Sequence, residues 1–339
     1  MKVPVLALAL SLALGTLTAH ADAPWVALPA RAPAPASNPT TPAKVELGRL
    51  LFNDKRLSES STVACSSCHN VAEGGADRRS QSTGVHGQPT GRHSSTVLNT
   101  GFLAALFLDG RASSLEEAAR MELLDPISMG MKDAAYVAER VEHIAGYRPY
   151  FDSAFGAGAP ISTDNITKAI AAYERSLVTA NSPYDRFVTG DTSALSAAAQ
   201  RGMAEFRSVG CSRCHQGPAF DGPSLQPGTP FVMKFPTYMR SPYVATHDLA
   251  RDLGRYEATG KEADRHQWRV PSLRNLTYTA PYLHNGSVAT LPDVVRVMGS
   301  TELNRTLTDA EVGDLVAFLE SLSGPLPVEP KAVPPGTSP

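Results

Sequence analysis

All four cysteines of this 339-residue chain lie in two copies of one five-residue pattern, Cys-x-x-Cys-His, at positions 65–69 and 211–215. Two cysteines three residues apart on a turn can each form a thioether to a haem vinyl group, and the next histidine then lies under the iron as axial ligand. One copy alone would also suit a redox or zinc-binding pair, but two copies that use every cysteine favour covalent haem. The expected thioether residues are Cys65, Cys68, Cys211 and Cys214, and the expected iron ligands are His69 and His215.

The sixth position of each iron decides between electron transfer and catalysis. A methionine opposite the histidine raises the reduction potential, whereas an open position admits a substrate. The residues alone leave the choice open, because lone histidines are usually structural and methionines usually fill cores. The candidates are His86, His93, His143, His247, His266, His284, Met129, Met131, Met203, Met233, Met239 and Met298.

The first 21 residues have the pattern of an export signal. Lys2 supplies a positive start, residues 3–17 are apolar, and Ala19-His20-Ala21 forms a cleavage site. The apolar run is shorter than the roughly 20 residues that span a bilayer. We therefore expect cleavage near Ala21 and a soluble periplasmic protein, with a retained N-terminal anchor as the alternative.

The clear apolar periodicity is helical, which predicts a mainly α fold with long loops. Strand alternation is nearly absent, and residues 70–101 and 216–246 are expected to be loops. The last predicted helix has a capping box formed by Thr308 and Glu311. Helices are predicted at 114–122, at 133–145, from Thr163, from Ser196 into the second Cys-x-x-Cys-His, and at 308–322.

Length and composition set the domain organisation and exclude two classes of partner. A prior of about 150 residues per domain predicts two domains. Proline-rich ends predict an extended leader and a loose tail. Charged residues are 19% of the chain, the formal net charge is −2 and no basic block occurs, so nucleic acid and polybasic membrane contacts are not expected. The predicted units are a signal peptide (1–21), a leader (22–44), two haem c domains (45–185 and 186–324) and a tail (325–339).

Six stretches, one of which contains the first pentapeptide, occur in a fixed order along the chain: 47–52, 65–70, 109–112 with 114–117, 254–256 with 259–262, 270–275 and 281–286. Their order and spacing resemble the bacterial di-haem cytochrome c peroxidase family, which includes the MauG enzymes, over nearly all of the chain after the signal. The resemblance implies two cytochrome-c-like helical domains, each with one covalent haem, whose haems face the domain interface.

The resemblance also implies the missing ligands. His86 matches the distal histidine of the N-terminal, low-potential, peroxidatic haem, and Met298 matches the methionine of the C-terminal, high-potential haem. MauG-type members have a tyrosine in the second role, so Met298 favours the peroxidase branch. His284 matches a family histidine near the C-terminal haem.

Three polar or aromatic positions depart from the family pattern. The distal glutamate corresponds to Ser128, a tryptophan between the haems to Leu108, and a glutamine to Ala118. General acid–base help from such a carboxylate contributes about 10²–10⁴-fold, and serine replaces it poorly at neutral pH. Glu117 and Glu122 lie on the same helical segment. We expect both to be solvated, with the approach of one of them to the pocket, where it would supply the proton, as the alternative.

A calcium site between the domains is also implied, with backbone oxygens from Thr279 and Pro281. The family asparagine of this site corresponds to His93. Because calcium prefers hard oxygen ligands, a histidine there suits it poorly.

The function implied by the resemblance is reduction of hydrogen peroxide to water. Electrons would come from a small c-type cytochrome or a cupredoxin, enter at the Met298-side haem and pass to the His69-side haem, in a protein that tends to form homodimers. Two alternatives remain: a di-haem electron-transfer protein without peroxidase activity, favoured by the three departures, and a MauG-like oxidase of a protein side chain, which Met298 disfavours.

Overall fold

A computed structural model describes residues 25–328 and 332–336, so the expected signal peptide lies outside the described residues. Over those ranges the fold is mainly helical, as predicted. Two short strands, β1 (Val232–Lys234) and β2 (Gln267–Arg269), pair antiparallel, with Met233 opposite Trp268. The helices are α1 (Pro42–Phe52), α2 (Leu115–Leu124), α3 (Ala134–Glu142), α4 (Arg148–Phe155), α5 (Thr163–Ser176), α6 (Pro183–Val188), α7 (Ala197–Ser208), α8 (Pro242–Thr246), α9 (Tyr256–Thr259), α10 (Leu291–Leu303) and α11 (Asp309–Ser321).

Side-chain caps begin the helices that the periodicity predicts. The Thr308 hydroxyl accepts a hydrogen bond from the backbone N–H of Glu311, and the Glu311 carboxylate accepts one from Thr308, which confirms the capping box of α11. Ser114, Ser162 and Ser196 cap α2, α5 and α7 in the usual N-cap geometry. The predicted helices are therefore present, whereas the expected loop 216–246 also contains β1 and α8.

Two hydrophobic clusters divide the core. The N-terminal cluster is built from buried residues between Leu47 and Leu177, and the C-terminal cluster from buried residues between Tyr184 and Leu322. In the first, α1 packs along α5, and in the second, α7 packs along α11. None of the helices in the described ranges has the length and apolarity needed to cross a membrane.

Each of these two helix pairs meets at a glycine. A Cβ on Gly48 of α1 would lie 2.0 Å from the carbonyl oxygen of Ala169 in α5, and a Cβ on Gly202 of α7 would lie 1.8 Å from that of Asp314 in α11. Only glycine permits so close an approach of one helix to the backbone of another. The same contact therefore occurs in both halves, in the helix that precedes each Cys-x-x-Cys-His.

The proline-rich segment before α1 is packed, which differs from the expected free leader. Asn38 is buried and donates to the Glu116 carboxylate and to the backbone carbonyl of Lys168. Trp25 lies in an aromatic cluster, with ring centroids 5.9 to 6.5 Å from those of Tyr184, Phe206, Phe220 and Phe318. The few large side chains of this segment thus anchor it, although its composition favours extended backbone.

The described part of the C-terminal tail also contacts the folded chain. Leu326 packs against the N-terminal cluster, and the Arg56 guanidinium donates to the carbonyl of Pro335 at 2.7 Å. In its described residues, the tail that was expected to be loose therefore contacts the N-terminal half of the molecule.

The glycine contacts predict opposite effects of two alanine substitutions in the same helix pair. Gly202→Ala should lower the free energy of unfolding by about 1–3 kcal/mol, because its Cβ collides with the α11 backbone. Gly313→Ala, at an exposed position of α11 with open space around it, should raise that free energy by up to about 1 kcal/mol, since alanine favours helix. Denaturant unfolding of the holoprotein measures both, and equal effects would contradict the packing described.

Candidate haem sites

Both Cys-x-x-Cys-His segments fold into the same turn. Cys65–Ser67 and Cys211–Arg213 form short 3₁₀ turns. The backbone N–H of the following histidine donates to the carbonyl of the first cysteine, at 2.9 Å in the first copy and 3.0 Å in the second. This turn brings the two thiols and the histidine of each copy close together.

The environments of the thiols disfavour a redox pair. All four cysteines are free and partly buried. Burial raises the pKa of the Cys65 thiol strongly and raises the pKa of Cys211 to about 12. A redox pair requires a thiolate, which these environments disfavour. Neutral, closely spaced thiols fit thioether attachment.

His69 and His215 are held in the orientation of axial ligands. Nδ1 of His69 lies 3.2 Å from the carbonyl oxygen of Gly75, and Nδ1 of His215 lies 3.0 Å from that of Phe220. With the proton on Nδ1 donated to the carbonyl, Nε2 is the nitrogen available to a metal. Burial lowers the pKa of both rings, which keeps them in the neutral form that ligation needs.

A cavity of about 260 Å³ lies beside the first turn, with Cys65, Cys68 and His69 in its wall. Apolar side chains from α1, α2 and α5 form much of the remaining wall. An apolar cavity with a few converging polar groups is typical of a cofactor site. The polar members of the wall include Arg92, Arg111, Glu122, Ser128 and Glu174. The residues present therefore fit a covalently attached haem.

His86 does not belong to the described wall of this cavity. Its side chain is 59% exposed, and its Nε2 lies 2.8 Å from the carboxylate of Glu59. Its backbone is left-handed, with φ 58°, and Gly87 follows with φ 75°, a conformation that glycine adopts without strain. The structure thus holds the ring at the surface, and ligation of the iron by His86 stays a prediction.

Ser128 lies in the cavity wall together with Glu122, whose approach to the pocket was the alternative to a solvated position. Glu122 lines the cavity and is hydrogen-bonded to Ser128, and desolvation raises the pKa of its carboxyl. The expectation of a solvated Glu122 is therefore wrong. The expectation for Glu117 is confirmed, because it is exposed and its carboxylate accepts hydrogen bonds from Ser113.

Leu108 lines the same cavity, and a segment that carries a tryptophan reaches its backbone from another part of the chain. The carbonyl of Leu108 accepts a hydrogen bond from the backbone N–H of Arg269 at 2.8 Å, and Trp268 is the residue before Arg269. The Trp268 ring stacks on His284 with centroids 4.4 Å apart, and the Arg92 guanidinium lies 4.8 Å from its centroid. Sequence reasoning missed this residue because it considered position 108 alone.

His284 is a buried histidine that remains neutral. Its ring nitrogens have no hydrogen-bond partner among the described residues, and desolvation lowers the pKa of the ring. Its stacking on Trp268 indicates a packing role, in agreement with the neutral form.

An ion-pair network joins the two halves near the expected calcium position. Arg92 contacts the carboxylates of Asp109 and Asp252 at 2.6 and 2.7 Å. The adjacent His93 has its Nδ1 2.9 Å from the carbonyl oxygen of Arg79. The Arg92 guanidinium therefore supplies positive charge next to His93. Calcium binding at Thr279 and Pro281 stays a prediction.

Met298, the predicted ligand of the second centre, lies on α10. Met298 is partly buried in α10, and Glu302 lies four residues later on the same face. Burial raises the pKa of the Cys214 thiol, and the charge of Glu302 adds to that rise. Burial raises the pKa of Glu302 itself to about 7. This face supports Met298 as the ligand opposite His215, which stays a prediction.

Comparisons with known proteins agree with this geometry. The family model "Di-haem cytochrome c peroxidase" matches residues 42–193. Cytochrome c551 peroxidase of Nitrosomonas europaea is 39% identical over 319 residues, 94% of this chain and 91% of that protein. MauG of Methylorubrum extorquens is 37% identical over 339 residues, 94% and 90% of the two chains. The solved structure of a MauG-like protein associated with microbial copper homeostasis has a TM-score of 0.75 at 30% identity, covering 87% and 93%.

If Met298 of α10 ligates the second iron, its replacement changes the spectrum and the potential of that centre. Met298→Leu should abolish the weak near-infrared band of a ferric His/Met haem and lower the higher of the two reduction potentials, because the thioether ligand is lost. Met239→Leu, at a methionine 45% exposed, is the matched control and should change neither. An unchanged band and unchanged potentials in Met298→Leu would refute the ligand assignment.

Proposed function

The chain belongs to the di-haem cytochrome c peroxidase family, and on that basis we propose that it reduces hydrogen peroxide to water with electrons from a small c-type cytochrome or a cupredoxin. Family membership implies two haems c. Electrons enter at the Met298-side centre and pass to the His69-side centre. The two hydrophobic clusters correspond to the two haem domains, and the protein works in the periplasm, as its first 21 residues predict.

The observation that carries the proposal is the cavity beside His69. Its wall contains the attachment turn, His69, Glu122 and Ser128, and His86 lies outside the described wall. These residues support peroxide entry on the Glu122 and Ser128 side. A haem c held by Cys65, Cys68 and His69 would supply the iron chemistry. The apolar wall excludes bulk water, and the carboxyl handles protons.

The loop that bears His86 acts as a gate in this proposal. The Val85 N–H donates to the carbonyls of Ile127 and Ser128 at 3.0 and 3.2 Å, so the loop packs directly against one edge of the cavity. With His86 on Glu59, that edge is free for peroxide. With His86 directed inward, the same edge is closed, which makes the two positions a two-state equilibrium.

We assign to Trp268 the role of the aromatic residue between the two centres. Its segment begins next to Leu108 in the cavity wall and continues to Pro271, whose backbone contacts the His215 ring. Trp268 is 6% exposed. A buried aromatic on this route supports electron transfer from the His215 side to the His69 side in place of a tryptophan at position 108.

A MauG-like oxidation of a protein side chain is the second candidate function. The similarity to MauG of Methylorubrum extorquens and to the MauG-like structure favours it. Met298, in the position where MauG-type members have tyrosine, favours the peroxidase. An electron-transfer protein without peroxide chemistry is a third reading, and the carboxyl in the cavity weighs against it.

Turnover of peroxide tests the proposal. The half-reduced holoprotein should react with peroxide, and a reduced small c-type cytochrome or cupredoxin should be oxidised with two electrons per peroxide. Stopped-flow absorption measures both steps. A half-reduced protein that stays low-spin and ignores peroxide while passing electrons onward would establish electron transfer as the function. Slow donor oxidation with peroxide-dependent modification of a partner protein would establish the MauG-like function.

The contact between His86 and Glu59 predicts a shift of the gate. Glu59→Gln should favour the closed position, raising the low-spin fraction of the half-reduced protein, because the surface partner of His86 is weakened. An exposed pair contributes about 0.2–1 kcal/mol, which limits the shift to less than about tenfold. Absorption and electron paramagnetic resonance measure the spin state. Glu73→Gln, an exposed glutamate near the first turn, is the control, and equal spectra of the two variants would contradict the gate.

A further inference from the structure

Glu122 reaches the cavity because of its place on α2. Leu115, Ala118, Ala119 and Leu123 line the cavity with it, so the carboxyl belongs to the face of α2 that is turned inward. Two alanines one turn earlier leave space for it. A carboxyl on such a face is costly unless it has a partner, and Ser128 provides a hydrogen bond.

The charges around Glu122 keep its carboxyl able to exchange a proton. Desolvation raises its pKa, Arg111 opposes that rise, and Asp125 at the end of α2 adds to it. Glu174 of α5 faces the same cavity, and burial raises its pKa to about 8. The charge of Glu122 adds to the effect of burial in raising the pKa of the Cys65 thiol on the attachment turn. A carboxyl whose pKa moves toward the working pH is an efficient general acid and base.

Two carboxyls therefore line the cavity, and the contacts of Ser128 distinguish them. The loop of Ser128 packs against the loop of His86: a Cβ on Gly84 would lie 1.9 Å from the carbonyl oxygen of Ile127. Glu122, through Ser128, is thus joined to the edge of the cavity at which the gate opens. Glu174 lies on α5, and the structure gives it no bond to that edge.

We propose that Glu122 is the acid–base residue of peroxide cleavage and that Ser128 orients its carboxyl. This inference rests on the proposed function. The Glu122 carboxylate accepts the proton of one peroxide oxygen and returns it to the other, which leaves as water when the O–O bond breaks. Two electrons from the redox-protein donor and two protons from solvent convert the remaining oxygen to a second water. In this chain the acid–base carboxyl thus lies on helix α2, at position 122, and not at loop position 128, where the family pattern has glutamate.

The kinetic test compares two glutamates on one helix. Glu122→Gln should slow the reaction of the half-reduced holoprotein with peroxide by about 10²–10⁴-fold. Glu117→Gln, at the exposed glutamate on the same helix, should leave the rate unchanged. Ser128→Ala should also slow the reaction with peroxide, but by a smaller factor. The double variant Glu122→Gln with Ser128→Glu should recover much of the rate, because it returns a carboxyl to the same edge.

A binding measurement provides a readout independent of turnover. In a His86→Ala background, which removes the gating ring, fluoride binding is followed by absorption as a function of pH. If Glu122 holds a proton taken up with the anion, fluoride affinity falls about tenfold per pH unit over the range where the carboxyl ionises. Glu122→Gln should flatten this dependence, and Glu117→Gln should preserve it.

The outcomes separate the two claims. If the wild-type protein reduces peroxide, and Glu122→Gln matches Glu117→Gln in both rate and fluoride dependence, the inference is overturned and the peroxidase function stands. If only Glu174→Gln loses both the fast reaction with peroxide and the pH dependence of fluoride binding, the inference is also overturned, and the acid–base role belongs to Glu174 on α5. If the wild-type protein ignores peroxide but Glu122→Gln flattens the fluoride dependence, the peroxidase function fails and Glu122 remains the proton-holding group.

Discussion

The close contact of two helices at a glycine underlies each half of this molecule. At Gly48 the backbone of α1 reaches the carbonyl of Ala169 on α5, and α5 then contributes Ile170 and Glu174 to the cavity wall. A larger residue would separate the helices and move that wall. At Gly202 the same contact holds α7 against α11, shortly before the second attachment turn. The chemistry of both centres therefore depends on a backbone approach that only glycine permits.

The sequence predicts those features of the site that depend on local spacing. The two turns, their neutral histidines and the main helices follow from residues close together in the chain, where caps and helical periodicity act. Contacts between distant segments were not predictable in this way. The segment that carries Trp268 reaches the backbone of Leu108 only because Arg269 pairs with it across the fold, and Trp25 is anchored by aromatic rings from the C-terminal half. Composition averages over a proline-rich segment and conceals the few large side chains that anchor it.

Glu122 illustrates a different failure of pattern reasoning. Helical periodicity treats a carboxylate as a mark of the solvent face, because burying an unpaired charge is costly. That rule assumes a protein core packed only with side chains. Beside a cofactor cavity, the inward face of α2 borders space that side chains do not fill, so a glutamate among alanines and leucines can lie there with Ser128 as its partner. Glu122, which was expected on the solvent face of α2, therefore lies on the face that lines the cavity.

The position of the acid also changes how the gate and the chemistry are related. A carboxyl at position 128 would lie on the loop that packs against the loop of His86, so any movement of the gate would displace it. A carboxyl at Glu122 is fixed by the backbone of α2, and α2 is packed against α5. Reactions that depend on proton transfer lose rate when the transferring group is misplaced by a fraction of an ångström. Placing the acid on a helix and its orienting hydroxyl on the loop lets the gate move while the proton-bearing group stays in place.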